Sequence, residues 1–297
     1  MNITKNSLML VLVALCFSCS NPTETEKEDP ITIPDPEPSR VQVTQLARLS
    51  APDAIKVGTD GNIYASNYGT GIVYKVNRSG RAEVFASNQP GAAGIDFDSL
   101  GNMFLARYDA NDVVVITPEG ELKNTYATGL HGPIALEFDS SGNLFINNHL
   151  ALFLAKVNNK GQQSNFIDHN IVNTSSLTLD DSGNIYLTSY LHGRIIKINT
   201  ETGVISNFVS TSINGFGYLT FANNELYATT IKGNKVFRIS MQGVVKDLAG
   251  TGESGYLDGP GNYSKFTSPI GITTNAAGDT IYVADRETIR LITNFLD

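Results

Sequence analysis

The sequence predicts an all-β protein, a six-bladed β-propeller with four strands in each blade. A short phrase, a small or acidic residue followed by Gly-Asn and an apolar-aromatic pair, returns about every forty residues, which indicates a repeat architecture. Four clear copies occupy residues 60–64, 100–104, 141–145 and 182–186, and two degraded copies occupy residues 223–227 and 277–282. Each copy lies between runs in which apolar and polar residues alternate, a pattern typical of half-buried strands.

The first repeat shows how one period gives one blade. Residues 54–57 and 63–66 flank the Gly-Asn turn. Gly and Asn readily adopt the positive backbone dihedrals that a tight hairpin needs. A second turn at Ser79-Gly80 separates two further strand-like runs, residues 72–76 and 82–86. Four antiparallel strands in a period of this length are typical of a propeller blade.

The two ends of the chain predict how the ring closes. The sixth repeat stops one strand short of a complete blade, whereas residues 41–47 precede the first repeat and have the pattern of a fourth strand. Pairing this N-terminal strand with the last blade covers both sheet edges that an open ring would expose. We therefore predict that residues 41–297 form the propeller and that the N-terminal strand completes the last blade.

Residues 1–18 have the features of a secretory signal. Lys5 precedes an apolar stretch, residues 8–17, that is too short to span a bilayer. Cys19, which is followed by Ser20, resembles the lipidated cysteine of bacterial lipoproteins, and this resemblance implies a lipid anchor. Residues 19–40 are rich in acidic residues and proline, which predicts an extended tether. We expect an outer-membrane lipoprotein, at the cell surface or otherwise on the periplasmic side.

The acidic run in the tether has two interpretations. It resembles the surface-export signals of Bacteroidota lipoproteins, and the alternative is a solvated spacer. Both cysteines of the chain, Cys16 and Cys19, precede the propeller, so we expect a domain without disulfides. The formal net charge is −8, and Lys and Arg form no cluster of the kind that binds phosphate. We expect no nucleic-acid partner, and contact with a membrane only through the lipid anchor.

A glycine-rich insertion carries the most specific family resemblance. Residues 250–259 (GTGESGYLDG), followed by Ser268-Pro269 and by residues 281–285 (IYVAD), resemble an inter-blade linker and the second strand of NHL-repeat propellers. The resemblance to NHL-repeat and gluconolactonase-like, regucalcin-type propellers covers residues 41–297. It implies the fold, but such propellers include lactonases, lyases and interaction modules. It also implies a divalent cation, usually calcium, held in the central channel by Glu, Asn and Asp side chains.

Equivalent positions can be compared across the repeats. The residue before the Gly/Ala-Ile/Leu pair of each innermost strand should point toward the central channel. In blade order these positions hold Asp53, Ala93, Ile134, Ser175, Gly217 and Ile270. Calcium commonly takes six or more oxygen ligands, and the resemblance makes Asp53 the candidate metal ligand. The alternative is a hydrogen-bonded residue that caps the start of its strand.

A second ring of residues follows the second strand of each blade. The pairs are Asn67-Tyr68, Arg107-Tyr108, Asn148-His149, Ser189-Tyr190, Thr230-Ile231 and Asp285-Arg286. Tyr and His rings have apolar faces and polar tips that suit a sugar, a lactone or a flat aromatic ligand. We predict a ligand-binding ring of Asn67, Tyr68, Tyr108, Asn148, Ser189, Tyr190, Thr230 and Arg286. For the Asn, Ser and Thr members the alternative is hydrogen bonding that caps the loop.

These rings favour binding of a small ligand, a glycan or a protein at the central face. The alternative is an enzyme, either a lactonase-like, metal-dependent hydrolase or a lyase. Gly-x-Ser-x-Gly is absent, and no Ser-His-Asp triad falls in register. For catalysis, His149 is the candidate general base, with Arg107 or Arg286 as the oxyanion partner. Asp53 or Asp285 would then orient the base or bind metal. A third possibility is a scaffold that contacts a partner through its rim loops or residues 250–266.

Overall fold

The computed structural model describes residues 37–169, 171, 173–213 and 215–296. The predicted signal segment, the lipidation site Cys19 and nearly all of the predicted tether lie outside the described residues. Within the described part, no helix has the length and apolar character needed to cross a membrane. The predicted all-β fold is confirmed, because the regular structure of this part consists of strands.

Six antiparallel sheets correspond to the six predicted repeats. The chain begins with β1 (Gln42–Arg48). Blade 1 contains β2 (Ile55–Val57), β3 (Ile63–Asn67), β4 (Ile72–Val76) and β5 (Ala82–Ala86). Blade 2 contains β6 (Ala92–Phe97), β7 (Met103–Arg107), β8 (Asp112–Ile116) and β9 (Leu122–Ala127). Blade 3 contains β10 (Pro133–Phe138), β11 (Leu144–Asn148), β12 (Leu154–Val157) and β13 (Gln163–Ile167).

The second half of the ring repeats this plan. Blade 4 contains β14 (Thr174–Leu179), β15 (Ile185–Ser189), β16 (Arg194–Ile198) and β17 (Ile205–Ser210). Blade 5 contains β18 (Phe216–Ala222), β19 (Glu225–Thr230), β20 (Lys235–Ser240) and β21 (Val245–Ala249). Blade 6 contains β22 (Gly259–Pro260), β23 (Pro269–Thr274), β24 (Ile281–Asp285) and β25 (Thr288–Thr293), with β1 between β22 and β25.

The first strand of each blade is innermost, and these strands surround the central channel. Each of them contacts the innermost strand of the next blade, and β23 of blade 6 contacts β2 of blade 1, so the ring is closed. The apolar core lies between neighbouring blades. For example, Tyr64 of blade 1 packs edge-on against Phe85 and meets Phe97 of blade 2, with ring centroids 4.9 Å apart in both pairs. Burial between blades therefore holds the repeats together.

The repeated Gly-Asn motif forms a turn that side-chain hydrogen bonds hold in place. In blade 2, Asp98 Oδ1 accepts hydrogen bonds from the backbone N–H groups of Leu100 and Asn102 at 2.9 and 2.8 Å. Asn102 Nδ2 donates to Asp98 Oδ2 at 2.7 Å, and Gly101 has a φ of 80°. An aspartate four residues before the asparagine gives the same bonds in blades 3 and 4. These side chains supply hydrogen-bond partners for the backbone N–H groups of the turn, which accounts for their regular recurrence.

The N-terminal strand closes the last blade as predicted. β1 pairs with β25 in antiparallel register, with Val43 opposite Ile292. The insertion adds what the sequence prediction lacked, because β22 pairs with the other edge of β1. Arg290, only 1% exposed, donates to the carbonyl oxygens of Lys265 and Leu257 at 2.9 and 3.0 Å and so fastens the insertion to blade 6.

The closure predicts a strong effect for a charge at Val43, which is fully buried between β25 and the insertion. We expect Val43→Asp to lower the free energy of unfolding by about 3 kcal/mol or more, because an unpaired carboxylate would be buried. The measurement is urea unfolding followed by circular dichroism. Thr44→Asp is the matched control, since Thr44 is exposed on the same strand. Equal losses in both variants would contradict closure by this strand.

Candidate functional site

The predicted site residues lie on one side of the ring, where the innermost strands begin and the second strands enter their loops. We call this side the central face. It carries Asp53, Tyr68, Tyr108, His149 and Tyr190. The opposite face carries the Gly-Asn turns. This division follows from strand direction, since all six blades run outward from the channel in the same order.

In each blade, a residue in the left-handed backbone region lies just before the innermost strand, at the central face. The residue two positions before each channel position has positive φ in every blade: Ala51 (38°), Gly91 (64°), Gly132 (58°), Asn173 (53°), Gly215 (81°) and Ser268 (55°). In blades 2 to 5 the carbonyl of this residue accepts the N–H of the second member of the loop pair, as from Gly91 to Tyr108 at 2.8 Å and from Gly132 to His149 at 2.9 Å. The local backbone therefore places the loop side chains around the channel.

Three aromatic side chains from consecutive blades form a continuous arc, which we call the aromatic arc: Tyr68, Tyr108 and His149. The Tyr68 and Tyr108 rings are 5.5 Å apart and nearly perpendicular, and the Tyr108 and His149 rings are 6.1 Å apart. Tyr68 is 42% exposed, and its hydroxyl donates to Asp109 Oδ1 at 3.0 Å. Tyr108 and His149 are half-buried. The arc offers ring surface to solvent in an ordered arrangement.

The His149 ring is fixed in one tautomer. Its Nδ1 lies 2.9 Å from the carbonyl oxygen of Thr174. A carbonyl oxygen only accepts, so Nδ1 carries the proton in this bond and Nε2 of the neutral ring carries a lone pair. Nε2 makes no hydrogen bond to any residue in the described part of the chain. The ring is thus held by one nitrogen and offers the other as a base.

Tyr190 continues the ring on blade 4 in a different setting. Lys232 Nζ lies 5.3 Å from the centroid of its ring, a distance typical of a cation–π contact. Tyr190 is half-buried, and Lys232 is exposed. One face of this ring is therefore already occupied by an ammonium group from blade 5.

Exposed leucines border the aromatic arc. Leu150, 66% exposed, follows His149, and Leu191, 53% exposed, follows Tyr190. Gly132 lets Leu150 and Tyr108 lie close together, because a Cβ at Gly132 would be 2.9 Å from Leu150 Cγ and 2.9 Å from Tyr108 Cε2. The rim next to the arc is consequently apolar on blades 3 and 4.

Tyr218 closes the channel below the central face. Its hydroxyl reaches from blade 5 to blade 3 and donates to the carbonyl oxygen of Ile134 at 2.7 Å. Between this ring and the opposite mouth is a cavity of about 30 Å³, lined among others by Lys56 and Glu137. The central face is therefore a shallow platform over a closed channel.

Asp53 lies at the channel mouth without a partner. Its carboxylate makes no hydrogen bond or ion pair with any residue that the structure describes, and desolvation raises its pKa to about 6. Its charge acts on two neighbours: the pKa of Tyr218 is raised by burial and then by Asp53, and that of Tyr68 by the hydrogen bond to Asp109 and, more weakly, by Asp53. The Asp53 carboxylate therefore acts electrostatically on both Tyr218 and Tyr68.

The residues at this mouth do not fit a divalent cation of the kind that the resemblance implies. Among the described residues, no group of three or more His, Cys, Asp or Glu side chains is arranged to hold a metal ion. Of the other channel positions, Ser175 has the one side-chain oxygen, and it donates to the carbonyl of Phe216 at 3.0 Å. Asp53 would have to hold calcium almost alone, which its coordination number disfavours.

Four of the predicted ligand-binding residues are buried and engaged in the loops. Asn67 Nδ2 donates to the Ser50 carbonyl at 2.5 Å, and Asn148 Oδ1 accepts from the His131 N–H at 2.9 Å. Ser189 Oγ lies 3.2 Å from His192 Nδ1, and Thr230 Oγ1 donates to the Lys235 carbonyl at 3.3 Å. These contacts correspond to the loop-capping alternative, in which the residues position the loops.

The charged candidates also have structural partners. Arg107 forms a bidentate ion pair with Asp112, with Nε–Oδ1 at 2.8 Å and Nη2–Oδ2 at 2.6 Å. Asp285 is fully buried, accepts the Thr267 N–H at 2.7 Å and pairs with Arg290 at 3.3 Å. Burial still raises the pKa of Asp285 to about 6. Arg286 is exposed, with a φ of 47°. Arg107 and Asp285 are therefore held by ion pairs within blades 2 and 6.

The opposite mouth holds a polar ring that sequence reasoning missed. Lys56 Nζ lies 3.1 Å from Asp96 Oδ1 and 3.7 Å from Glu137 Oε1. Burial holds the pKa of Glu137 above its usual range. A cleft of about 510 Å³ borders these three residues. Comparison of the residues three positions after the channel positions would have predicted the whole ring: Lys56, Asp96, Glu137, Thr178, Thr220 and Thr273.

The raised pKa of Asp53 predicts an unusual dependence of stability on pH. Its pKa is higher in the folded than in the unfolded protein, so the folded state loses stability as pH rises from about 4 to about 6 and regains none above. We expect Asp53→Asn to raise the unfolding temperature at about pH 8 and to change it little at about pH 4. Thermal unfolding of both proteins checks this.

Asp60→Asn is the control, because its effect on stability at about pH 8 should be opposite to that of Asp53→Asn. Asp60 pairs with Lys75 at 2.8 Å, and despite desolvation its pKa is lowered to about 2, chiefly by that side chain. Its contribution is present above about pH 4 and is lost as pH falls through about 2, so this variant should be less stable at about pH 8. An Asp53→Asn protein that is also destabilised there would show that Asp53 has a favourable partner.

Comparison with known proteins identifies the fold. No protein-family model matches the sequence, and no curated protein matches it. Among solved structures, an auxiliary nutrient binding protein from Bacteroides ovatus is 14% identical, with a TM-score of 0.73 over 86% of this chain and 77% of the other. A gluconolactonase from Xanthomonas campestris is 10% identical, with a TM-score of 0.70 over 85% and 89%.

A virginiamycin B lyase from Staphylococcus aureus is 18% identical, with a TM-score of 0.63 over 85% of this chain and 99% of the lyase. A variant of that enzyme in which one histidine is replaced by alanine is catalytically inactive. These three proteins differ in what they do and share the architecture described above. The chain therefore has the gluconolactonase-like and virginiamycin B lyase-like six-bladed propeller fold.

Proposed function

We propose that this protein binds a small molecule on its central face. The observation that carries the proposal is the aromatic arc, in which the rings of Tyr68, Tyr108 and His149 lie 5.5 and 6.1 Å apart across three blades. Asp53 lies at the same end of blade 1, where its backbone N–H bonds to the Ser66 carbonyl at 2.8 Å. Loop positions have no core to fill, so ring side chains there are available for recognition. Binding sites commonly combine apolar ring surface with a few polar groups that fix orientation.

The shape of the face indicates a flat ligand. Tyr218 closes the channel, so a ligand lies on the platform and does not thread through it. The rings of Tyr68 and Tyr108 are perpendicular, so one can take the ligand edge while the other takes its face. The exposed side chain of Leu150 extends the apolar surface outward. The nutrient-binding, lactonase and lyase propellers described above support a small molecule in this role.

We also propose that the protein works at the outer membrane, anchored through Cys19. The secretory features of residues 1–18 and the acidic, proline-rich residues 19–40 motivate this placement. A segment of this composition would serve as a spacer between the lipid anchor and the propeller, whose partner could be a small ligand, a glycan or a protein. Mass spectrometry of the membrane fraction, with Cys19→Ser as the comparison, tests the anchor.

Binding should depend on the aromatic arc. We expect Tyr68→Ala and Tyr108→Ala each to weaken the affinity for a bound aromatic or lactone probe about three- to tenfold, since each ring contributes about 0.5–1.5 kcal/mol. Saturation-transfer NMR with a small library measures this. Tyr256→Ala is the matched control, because Tyr256 is 48% exposed on the insertion and Tyr68 is 42% exposed on the face. Affinities that all three variants leave unchanged would contradict the proposed site.

A lyase reaction at the same face is the second candidate, and the His149 tautomer favours it. Nδ1 is fixed by the Thr174 carbonyl, so Nε2 points a lone pair away from the loop, as a general base requires. The lyase from Staphylococcus aureus likewise depends on a histidine. A metal-dependent hydrolase is less supported, because the residues near Asp53 do not fit a divalent cation.

The test is turnover of a lactone-containing probe such as quinupristin or a sugar lactone. If the face is catalytic, His149→Ala should lower kcat about 100-fold or more, which is the usual contribution of a general base. His149→Gln should lose turnover to the same extent, although a side-chain amide can still donate to the Thr174 carbonyl and hold the loop. Absence of turnover by the intact protein, or turnover that survives both substitutions, would rule out this chemistry.

A further inference from the structure

Asp53 is an unusual group to find at a channel mouth. A desolvated carboxylate without a hydrogen bond or counter-ion destabilises the folded protein, and most such groups are paired. By contrast, two other charged side chains of this face have partners: Arg107 pairs with Asp112, and Asp109 accepts a hydrogen bond from Tyr68. A carboxylate left without a partner in the described chain is available to one that arrives from solution.

The ring faces of the aromatic arc favour the same kind of partner. Tyrosine rings attract cations to their faces, and the attraction strengthens where water is partly excluded. The central face already contains such a contact, since Lys232 Nζ lies 5.3 Å from the Tyr190 ring. Tyr68 and Tyr108 on blades 1 and 2 have no cation over them among the described residues. Asp53 lies close to this part of the face, because its backbone N–H donates at 2.8 Å to the carbonyl oxygen of Ser66, two residues before Tyr68.

From this arrangement we propose that the ligand is an organic cation, an ammonium group attached to a flat apolar or aromatic body. The ammonium pairs with the Asp53 carboxylate at the channel mouth, while the body lies on Tyr68, Tyr108 and the exposed edge of Leu150. This inference rests on the proposed ligand-binding function of the central face and specifies the chemical class of the ligand.

Other ligand classes fit this side of the face less well. An anion would lie beside Asp53 and Asp109, whose like charges repel it. A bare divalent cation would lack the further oxygen ligands that it requires. A neutral sugar would leave the Asp53 charge uncompensated. An organic cation neutralises the carboxylate, needs few additional oxygen ligands and gains contact with the rings.

Three probes that share a phenyl ring test the class of ligand: phenethylammonium, 2-phenylethanol and phenylacetate, titrated at neutral pH by NMR. We expect the ammonium compound to bind about tenfold more tightly than the alcohol, and the carboxylate to bind most weakly. Asp53→Asn should lower ammonium affinity to that of the alcohol and leave alcohol affinity unchanged. Asp109→Asn, a change to a nearby exposed carboxylate, should preserve the ammonium preference.

The outcomes separate this inference from the function on which it rests. If the alcohol binds in a Tyr68- and Tyr108-dependent way without an ammonium preference, the ligand class is wrong and the binding face stands. If the preference survives Asp53→Asn, the assignment of Asp53 is wrong. Calcium binding that disappears in Asp53→Asn would likewise overturn the organic cation. If no probe binds in a tyrosine-dependent way, both proposals fail. The Asn variant should fold, because it removes an unpaired charge.

Discussion

A left-handed backbone residue ahead of each innermost strand is the constraint on which the central face depends. All six blades have positive φ at this position, although two of them hold Ala51 and Ser268, residues that adopt it at a cost in energy. In the middle blades the carbonyl of this residue captures the N–H that follows the second strand. The capture fixes the loop residue beside the start of the neighbouring strand. Repeated in blades 2 to 4, it places Tyr108, His149 and Tyr190 around the channel although they are far apart in sequence.

Hydrogen-bond satisfaction divides the residues of this face into two groups. Buried polar groups must find partners, and Asn67, Asn148 and Asp285 find them within the loops and strands. Asp53 and the Nε2 atom of His149, by contrast, have no partner in the described chain. Neither is used to complete the loops or strands, so both are available to a ligand at this mouth.

The sequence predicted the architecture because the fold is repeated in the chain itself. A turn with strict backbone requirements recurs in phase with alternating strands, and an N-terminal strand matches a blade that lacks one. It did not predict partners, since these depend on side-chain conformation. For example, Asp112 forms an ion pair with Arg107 on the adjacent strand of the same hairpin. Tyr218 bridges the channel to Ile134, a contact between distant positions that no local pattern encodes. The ring of Lys56, Asp96 and Glu137 was accessible in principle, because it obeys the same register displaced by three residues.

The two mouths of the channel differ in how their charges are balanced, and this difference favours the central face as the site. At the opposite mouth Lys56 lies between Asp96 and Glu137, and Asp96 also accepts the Phe138 N–H at 2.8 Å. A ligand there would have to break contacts that blades 1, 2 and 3 already make with one another. At the central mouth Asp53 has no partner among the described residues, so a complementary group would not have to displace one. Preorganised surface with an unsatisfied charge binds more favourably than a larger cleft whose charges are already paired.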